Sequence, residues 1–369
     1  MNASGNEIAL LHAANYIDPD VAWQIGAKVW PAGTIVFPKV GGALLTNKKR
    51  VLGVPGAFDN NIMGLVPTDP AVDPEWLRLW FGQVDLATLA NTQALPSIRQ
   101  SAVGNLRLLV PTSLRRQRDL VVSERRKSEL VAQSHGGAAQ QVADARKLVR
   151  AFLDEQFSGV VPIRVRVEGA LPAGFGVARL PDVARLESGH TPSRRHPEWW
   201  GGQVPWLALP DIRKLHGKLA HETTENINDA GLANSSARLL PTGTVCLCRD
   251  ASIGFVTMLG RPMATSQHFA NWVCDSERLD PEFLMYAFMA SFDYLRELGS
   301  GSVLKTIYMP TIKSFHICAP TIEEQRRIAC TLRERLAAAE TLTARLTERL
   351  ADIERLPQRL LAAAFGEAA

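Results

Sequence analysis

Two sets of loop residues carry the groups with which this sequence can do chemistry, and that chemistry is non-covalent. In the first part of the chain Lys39, Lys48, Lys49 and Arg50 supply cations, Asn47, Asn60 and Gln93 supply amides, and Ser97 supplies a hydroxyl. In the second part the cations are Arg194, Arg195, Arg249 and Lys305, the amide is Gln267, and the hydroxyls are Thr191, Ser193, Ser302 and Thr306, with His190 adding a ring nitrogen. Lysine and arginine neutralise phosphates, whereas amides and hydroxyls reach base edges, so such a set suits a nucleic acid. Each group also has a plainer reading. Lys48-Lys49-Arg50 reads equally as a solvated turn, Asn60 and Gln267 as structural amides, and the segments around Gln93 and Ser302 as ordinary loops. His190 and His196 flank Arg194-Arg195, while Trp199, Trp200 and Trp206 read more readily as core or loop anchors than as stacking platforms.

Covalent chemistry has little to stand on in the sequence. It contains no strand-GxxxxGK[ST]-helix phosphate loop, no asparagine-proline-proline-aromatic signature, no glycine motif for S-adenosylmethionine and no acidic pair followed by Glu-x-Lys. The five cysteines all lie in the second half, without the paired spacing of a zinc site, and read as reduced core or boundary thiols. No metal or cofactor is therefore expected on this chain. A net charge of +4 is compatible with a polyanionic partner but does not identify one. The N-terminus lacks a signal-peptide pattern and no long apolar run occurs, so a soluble, cytoplasmic protein is expected.

What positions the candidate groups is a duplication with a period of about 208 residues. Pro31-Ala32-Gly33-Thr34 is echoed by Pro241-Thr242-Gly243-Thr244, and Pro74-Glu75-Trp76-Leu77 by Pro281-Glu282-Phe283-Leu284. Apolar segments ending in Pro111 and Pro320 follow, then helices carrying Gln117-Arg118 and Gln325-Arg326 that close on Phe157-Ser158-Gly159 and Phe365-Gly366. Asn60 and Gln267 fall at equivalent places. A period this long marks a duplicated domain plus helix rather than a solenoid. The expected organisation is a first domain over 1–112, a helix over 113–158, a second domain over 159–320 and a second helix over 321–369. Both domains read as mixed α/β, with strands at Gly33 to Val40 and Leu106 to Val110 and a helix from Pro74 to Val84 in the first. Val177 to Gly202 has no counterpart before Ile8, so the first domain reads as shortened at its N-terminus.

The two helical segments are expected to pair. Steps of four and three from Ile328 reach Leu332, Ala339, Leu342, Leu346, Ile353, Leu356 and Leu360, a coiled-coil seam with arginines at 335 and 349. In the first segment Ala138, Val142, Ala145, Val149 and Phe152 follow the same rhythm. Gly136-Gly137 predicts a kink or break and Pro357 a kink or restart. An antiparallel pair with pseudo-twofold symmetry follows if the second domain returns the chain. About 38 helical residues would make a rod of roughly 57 Å, between one and two turns of DNA.

The run Leu186-Glu187-Ser188-Gly189-His190-Thr191-Pro192-Ser193-Arg194-Arg195 leads into Glu198-Trp199-Trp200-Gly201-Gly202 and Val204-Pro205-Trp206-Leu207. With Gly231 to Pro241, Ile253-Gly254 and Thr265-Ser266-Gln267, in that order, it resembles a target-recognition domain of type I restriction-modification specificity subunits. The segment from Pro320 to Gly366 resembles the helical region that follows such domains. The resemblance covers the second domain and its helix almost entirely and the first in part. It implies a non-catalytic subunit that reads a bipartite duplex DNA target, with the loop residues above as DNA contacts and Val142, Val149, Leu332, Leu342, Leu346 and Ile353 as helix-pairing residues. It further implies modification subunits, two in number, and restriction-translocase subunits as partners, with S-adenosylmethionine, ATP and Mg bound by those partners. A specificity partner of a fused restriction enzyme or of an orphan methylase is a related reading, and a coiled-coil protein-binding scaffold is one from another class.

Overall fold

The computed structural model describes residues 6, 9–91, 95–169, 171–299 and 305–366, which form two compact units, Met1–Gln141 with Leu346–Ala369 and Val142–Arg345. The candidates Gln93 and Ser302 lie outside the described residues. Both units are mixed α/β, and each includes part of each of two long helices, Leu114–Gln156 and Ile322–Phe365.

In the first unit strands β1 (Ala9–Leu10), β2 (Ile35–Pro38), β3 (Arg50–Leu52) and β4 (Ile62–Leu65) form a sheet in the order β1-β3-β2-β4. The turn Pro31-Ala32-Gly33-Thr34 feeds β2. Gly33 sits at φ 87°, a conformation that glycine reaches without steric cost, and the Thr34 hydroxyl donates to the Pro31 carbonyl at 2.7 Å. Every residue of β2 is buried, and Phe37 packs on Phe81 of the helix Pro74–Gly82. Asp73 caps that helix, and Pro74 opens it with a preset φ.

The second unit repeats this plan with more strands. It contains β5 (Ile163–Arg164), β6 (Gly176–Arg179), β7 (Ala184–Ser188), β8 (Trp200–Leu207), β9 (Leu219–Ala220), β10 (Glu225–Ile227), β11 (Val245–Cys248), β12 (Val256–Leu259), β13 (Ala264–Thr265), β14 (Phe269–Cys274) and β15 (His316–Ala319). Its main sheet runs β7-β14-β11-β12-β9, so β9, β12, β11 and β14 stand where β1, β3, β2 and β4 stand in the first unit. The turn recurs as well, with Gly243 at φ 82° and the Thr244 hydroxyl 2.7 Å from the Pro241 carbonyl. Strand β11 is buried on both faces. Val245 and Leu247 pack with Trp272, Phe283 and Phe288, while Cys246 and Cys248 pack with Leu259, Met263 and Phe269. Burial pushes the Cys246 thiol well up and the Cys248 thiol up to about 12, so both stay protonated core groups.

Leu106–Val110, expected as a strand, is not one. It has no regular structure, with Leu106, Leu108 and Val110 against the core and Leu109 94% exposed, and no described strand pairs with it. Its counterpart β15 is the centre of a three-stranded sheet between β5 and β6. A strand needs a neighbour to take its backbone hydrogen bonds, and among the described residues only the second unit supplies one.

Neither long helix is interrupted at the glycine pair or the proline, where a kink, break or restart is expected. Leu114–Gln156 passes through Gly136-Gly137 unbroken, because extending an established helix adds one hydrogen bond per residue and outweighs about 1 kcal/mol per glycine. The second helix likewise passes through Pro357. Pairing is antiparallel within each unit. In the first, His135 Nε2 lies 3.3 Å from Glu354 Oε1, and Val121 shares a core with Leu361 and Phe365. In the second, Arg335 ion-pairs with Glu155 at 2.7 Å and lies over Phe152, while Leu153 and Phe157 share a core with Ile328 and Leu332. Val142 and Leu332 are buried, and Val149, Leu346 and Ile353 are half-buried. Leu342 is a correction: it is 42% exposed, while Ala339 is 3% exposed. Among the described residues no helix is long and apolar enough to cross a membrane.

Candidate nucleic-acid interface

Each unit places one basic residue immediately beyond its central strand and holds it by the same backbone bonds. In the first unit the Lys39 N–H donates to the Asn61 carbonyl at 2.8 Å, and the Lys39 carbonyl accepts from the Ile98 N–H at 2.8 Å. In the second, the Arg249 N–H donates to the His268 carbonyl at 2.9 Å, and the Arg249 carbonyl accepts from the Ile307 N–H at 2.8 Å. The residue before each backbone partner is an amide, Asn60 before Asn61 and Gln267 before His268. A hydroxyl follows on the far side, since Ser97 bridges Val40 and Thr306 bridges Asp250. Cation, amide and hydroxyl are therefore gathered at the end of a buried central strand in both units, from segments far apart in sequence.

The surroundings differ. Lys39 is half-buried and Asn60 exposed, with no hydrogen-bond partner for either side chain among the described residues. Ser97 is locked to Asn91, whose Oδ1 accepts from the Ser97 N–H at 3.0 Å and whose Nδ2 donates to the Ser97 hydroxyl at 3.1 Å. In the second unit Arg249 Nε donates to the Gln267 carbonyl at 3.2 Å, and the Gln267 side chain bonds the Thr191 hydroxyl. Asp250, nearly buried, holds His268 Nδ1 at 2.6 Å. Gly189 leads into His190 and Thr191 where the chain crosses Thr265 and Ser266 too closely for any Cβ. His190 is then tied by its N–H to the Thr265 carbonyl at 2.8 Å, and its own carbonyl accepts from Trp206 Nε1 at 3.0 Å. His190, Thr191, Arg249, Gln267 and Thr306 are thus brought together, with Lys305 exposed beside Thr306.

Arg194 has a different environment from the exposed Arg195 beside it. Its guanidinium forms two bonds to Glu225, at 2.6 and 2.7 Å, and stacks 3.6 Å above the Trp200 ring. The pair raises the arginine's pKa and lowers that of the glutamate, chiefly through those hydrogen bonds. Ser193 accepts from the Arg195 N–H at 3.3 Å. A polar cleft of about 560 Å³ opens here, lined by His190, Ser193, His196 stacked on Trp199, and Asn234 to Ser236. Asn234, Ser235 and Ser236 lie in the run Gly231 to Pro241 that carries the resemblance, but nothing in the sequence singled them out as site residues.

The dense basic run of the first unit serves its own fold. Asn47 adopts φ 49°, and its Oδ1 accepts from the Leu86 N–H at 3.0 Å and from Lys49 Nζ at 2.8 Å. Lys49 Nζ also donates to the Val84 carbonyl at 2.6 Å, just past the end of Pro74–Gly82, and burial lowers its pKa to about 8 despite attraction from Asp85. Arg50 donates to the Asn6 and Lys49 carbonyls. Lys48 lines the same depression, with Arg78. Among the described residues no group of three or more His, Cys, Asp or Glu is placed to hold a metal ion.

Comparison with known proteins bears on this arrangement. A family model described as "Type I restriction modification DNA specificity domain" matches residues 172–351. The chain is 30% identical over 166 residues to the type I restriction enzyme MjaIX specificity subunit of Methanocaldococcus jannaschii, covering 44% of this chain and 38% of that one. It is 28% identical over 157 residues to the HindI specificity subunit of Haemophilus influenzae, covering 42% and 33%. The chain thus spans well under half the length of these curated relatives. In structure it resembles a chain from the complex-assembly study of a type I R-M system, with TM-score 0.73, 19% identity and coverage of 93% of this chain and 84% of that one. It also resembles the HsdS subunit from Thermoanaerobacter tengcongensis, with TM-score 0.62, 18% identity and coverage of 93% and 83%. At these identities the structural likeness establishes the fold, two α/β domains alternating with long helices.

Proposed function

We propose, for a chain that belongs to the type I restriction-modification specificity family through residues 172–351, that it reads a bipartite duplex DNA target and performs no catalysis itself. The first unit reads one half of the target around Lys39, Asn60 and Ser97. The second reads the other half around Arg249, Gln267 and Thr306, with the His190 to Arg195 loop beside them. Cations contribute affinity by neutralising phosphates, while amides and hydroxyls select bases in the grooves. The long helices set the gap and offer the docking surface for modification and restriction-translocase subunits. Those partners bind S-adenosylmethionine, ATP and Mg and supply the bond-making chemistry.

The observation that carries this reading is the recurrence of one cation, amide and hydroxyl constellation, held by matching backbone bonds, in two units of a single chain. A single binding face would need it once. Methylome sequencing of a host carrying this chain with its modification subunit tests the reading. A methylated motif in two parts separated by a constant gap is the expected result; methylation without regard to sequence, or within one uninterrupted motif, overturns it. Replacing residues 1–112 with another such domain should change one half of the motif and leave the other intact.

A further inference from the structure

We infer that Gln117 and Gln325 are positioning residues that fix the direction in which each long helix leaves its unit, and thereby the gap between the two half-targets. The inference rests on the two-part reading above. Both glutamines are buried, at 0% and 2% exposure, in the first turns of the two long helices. Gln117 Oε1 accepts from the Asp73 N–H at 2.7 Å, and its Nε2 donates to the Ala71 and Pro111 carbonyls, each at 2.8 Å. Gln325 does the same one repeat later. Its Oε1 accepts from the Asp280 N–H at 2.9 Å, and its Nε2 donates to the Arg278 carbonyl at 3.2 Å and the Pro320 carbonyl at 3.0 Å. Each amide therefore ties together the long helix, the proline before it and the residue that caps the helix Pro74–Gly82 or Pro281–Ala290.

A second point of attachment lies two turns further along each helix. Arg125 Nη2 meets Glu75 Oε2 at 3.2 Å, and Arg333 Nε meets Glu282 Oε1 at 2.8 Å, where the Tyr286 hydroxyl also donates. Eight residues separate the attachment points on each helix, about 12 Å of rise. Two fixed points define a line, so the joint sets direction as well as position.

A polar joint is an expensive way to bury a contact, because an amide gains little net stability over an apolar side chain of similar volume. What it adds is directionality. A 43-residue helix is about 65 Å long, and tilting it by about 3° moves its far end about 3.4 Å, one base-pair step. Loss of the directional bonds while the helix stays docked should blur the gap before it destroys the fold.

The test uses the full chain assembled with its modification subunit and a DNA library. The half-targets are those found for the wild type, and the library varies the gap base pair by base pair. Gln117→Met and Gln325→Met keep volume and lose the bonds. They should retain both half-motifs while modification at gaps one base pair longer or shorter rises by about tenfold. An unchanged gap distribution overturns the inference, whatever happens to the amount of complex. If the methionine variants fail to fold, Arg125→Met and Arg333→Met, at the exposed second point, should broaden the gap in a folded protein, and a wild-type distribution there is equally fatal. A wild type that modifies no two-part target would instead defeat the underlying reading, an outcome separable from a sharp gap that the variants leave sharp.

Discussion

Leu106–Val110 and His316–Ala319 hold the same place in the repeat, just before the proline that precedes a long helix, yet only the second is a strand. The difference lies in their neighbours. His316–Ala319 pairs on one side with Ile163–Arg164 and on the other with Gly176–Arg179, and nothing described stands beside Leu106–Val110. The same contrast recurs at β4, which among the described residues pairs only with β2, whereas β14 is covered by both β11 and β7. One local pattern thus yields two structures, because strand formation is a property of a pair.

Amide exchange sharpens this contrast most. The amides of Ile317 and Cys318 should exchange at least about 10³ times more slowly than those of Leu108 to Val110, since core strands open only at a cost near the global stability and unpaired segments open freely. Equal rates, measured by mass spectrometry or NMR on the full chain, would mean that the first unit's segment is paired after all.

Next in size is core packing. Phe283→Ala should cost about 3–5 kcal/mol through lost burial and a residual cavity, lowering a thermal transition assigned to the second unit. Trp76→Ala, at the equivalent position, should lower the first unit's transition instead. One calorimetric transition that shifts as a whole in both variants would deny the units their independence.

DNA binding compares the two cations. Lys39→Ala and Arg249→Ala should each reduce the slope of log affinity against log salt by about 1, as expected for loss of a single phosphate contact. An anisotropy titration in which only Arg249→Ala has an effect would leave the first unit without a reading role.

The smallest effect is on pH dependence, and its windows differ between units. Burial lowers the Lys49 pKa from 10.5 to about 8, so between those values the unfolded chain keeps a proton that the folded first unit has released. Stability of that unit therefore rises with pH across that window. His216 of the second unit is lowered from 6.5 by burial, its Nδ1 accepting from the Val256 N–H at 3.1 Å. The unfolded chain takes up that proton first, so stability of the second unit falls as pH drops below 6.5. Lys49→Met and His216→Phe should each flatten one window in denaturant titrations, and a swap of the windows between transitions would refute the assignment.

The legible parts of this molecule are those coded by neighbours in the chain. The helix that opens at Pro74 and both long helices stand where pattern and spacing place them. The candidate site was legible as a list of residue types but not as a geometry. Arg194 shows why: its bonds are to Glu225, 31 residues away, and its stacking partner is Trp200, so its environment depends on a ribbon that spacing cannot foresee. Asn47 and Lys49 show the same thing, since the carbonyl and N–H groups they satisfy lie 35 and more residues downstream.

By itself the sequence determined the duplication, the two rods and the polar residues clustered in loops, because turn chemistry, capping and helical periodicity act over a few neighbouring residues. Only the tertiary structure decided that Leu106–Val110 finds no strand partner among the described residues, that Lys49 faces its own fold and that Gln117 and Gln325 become buried joints. Each of those outcomes depends on where backbone donors and acceptors from distant segments come to rest, and a buried polar group takes its role from the partner it finds there.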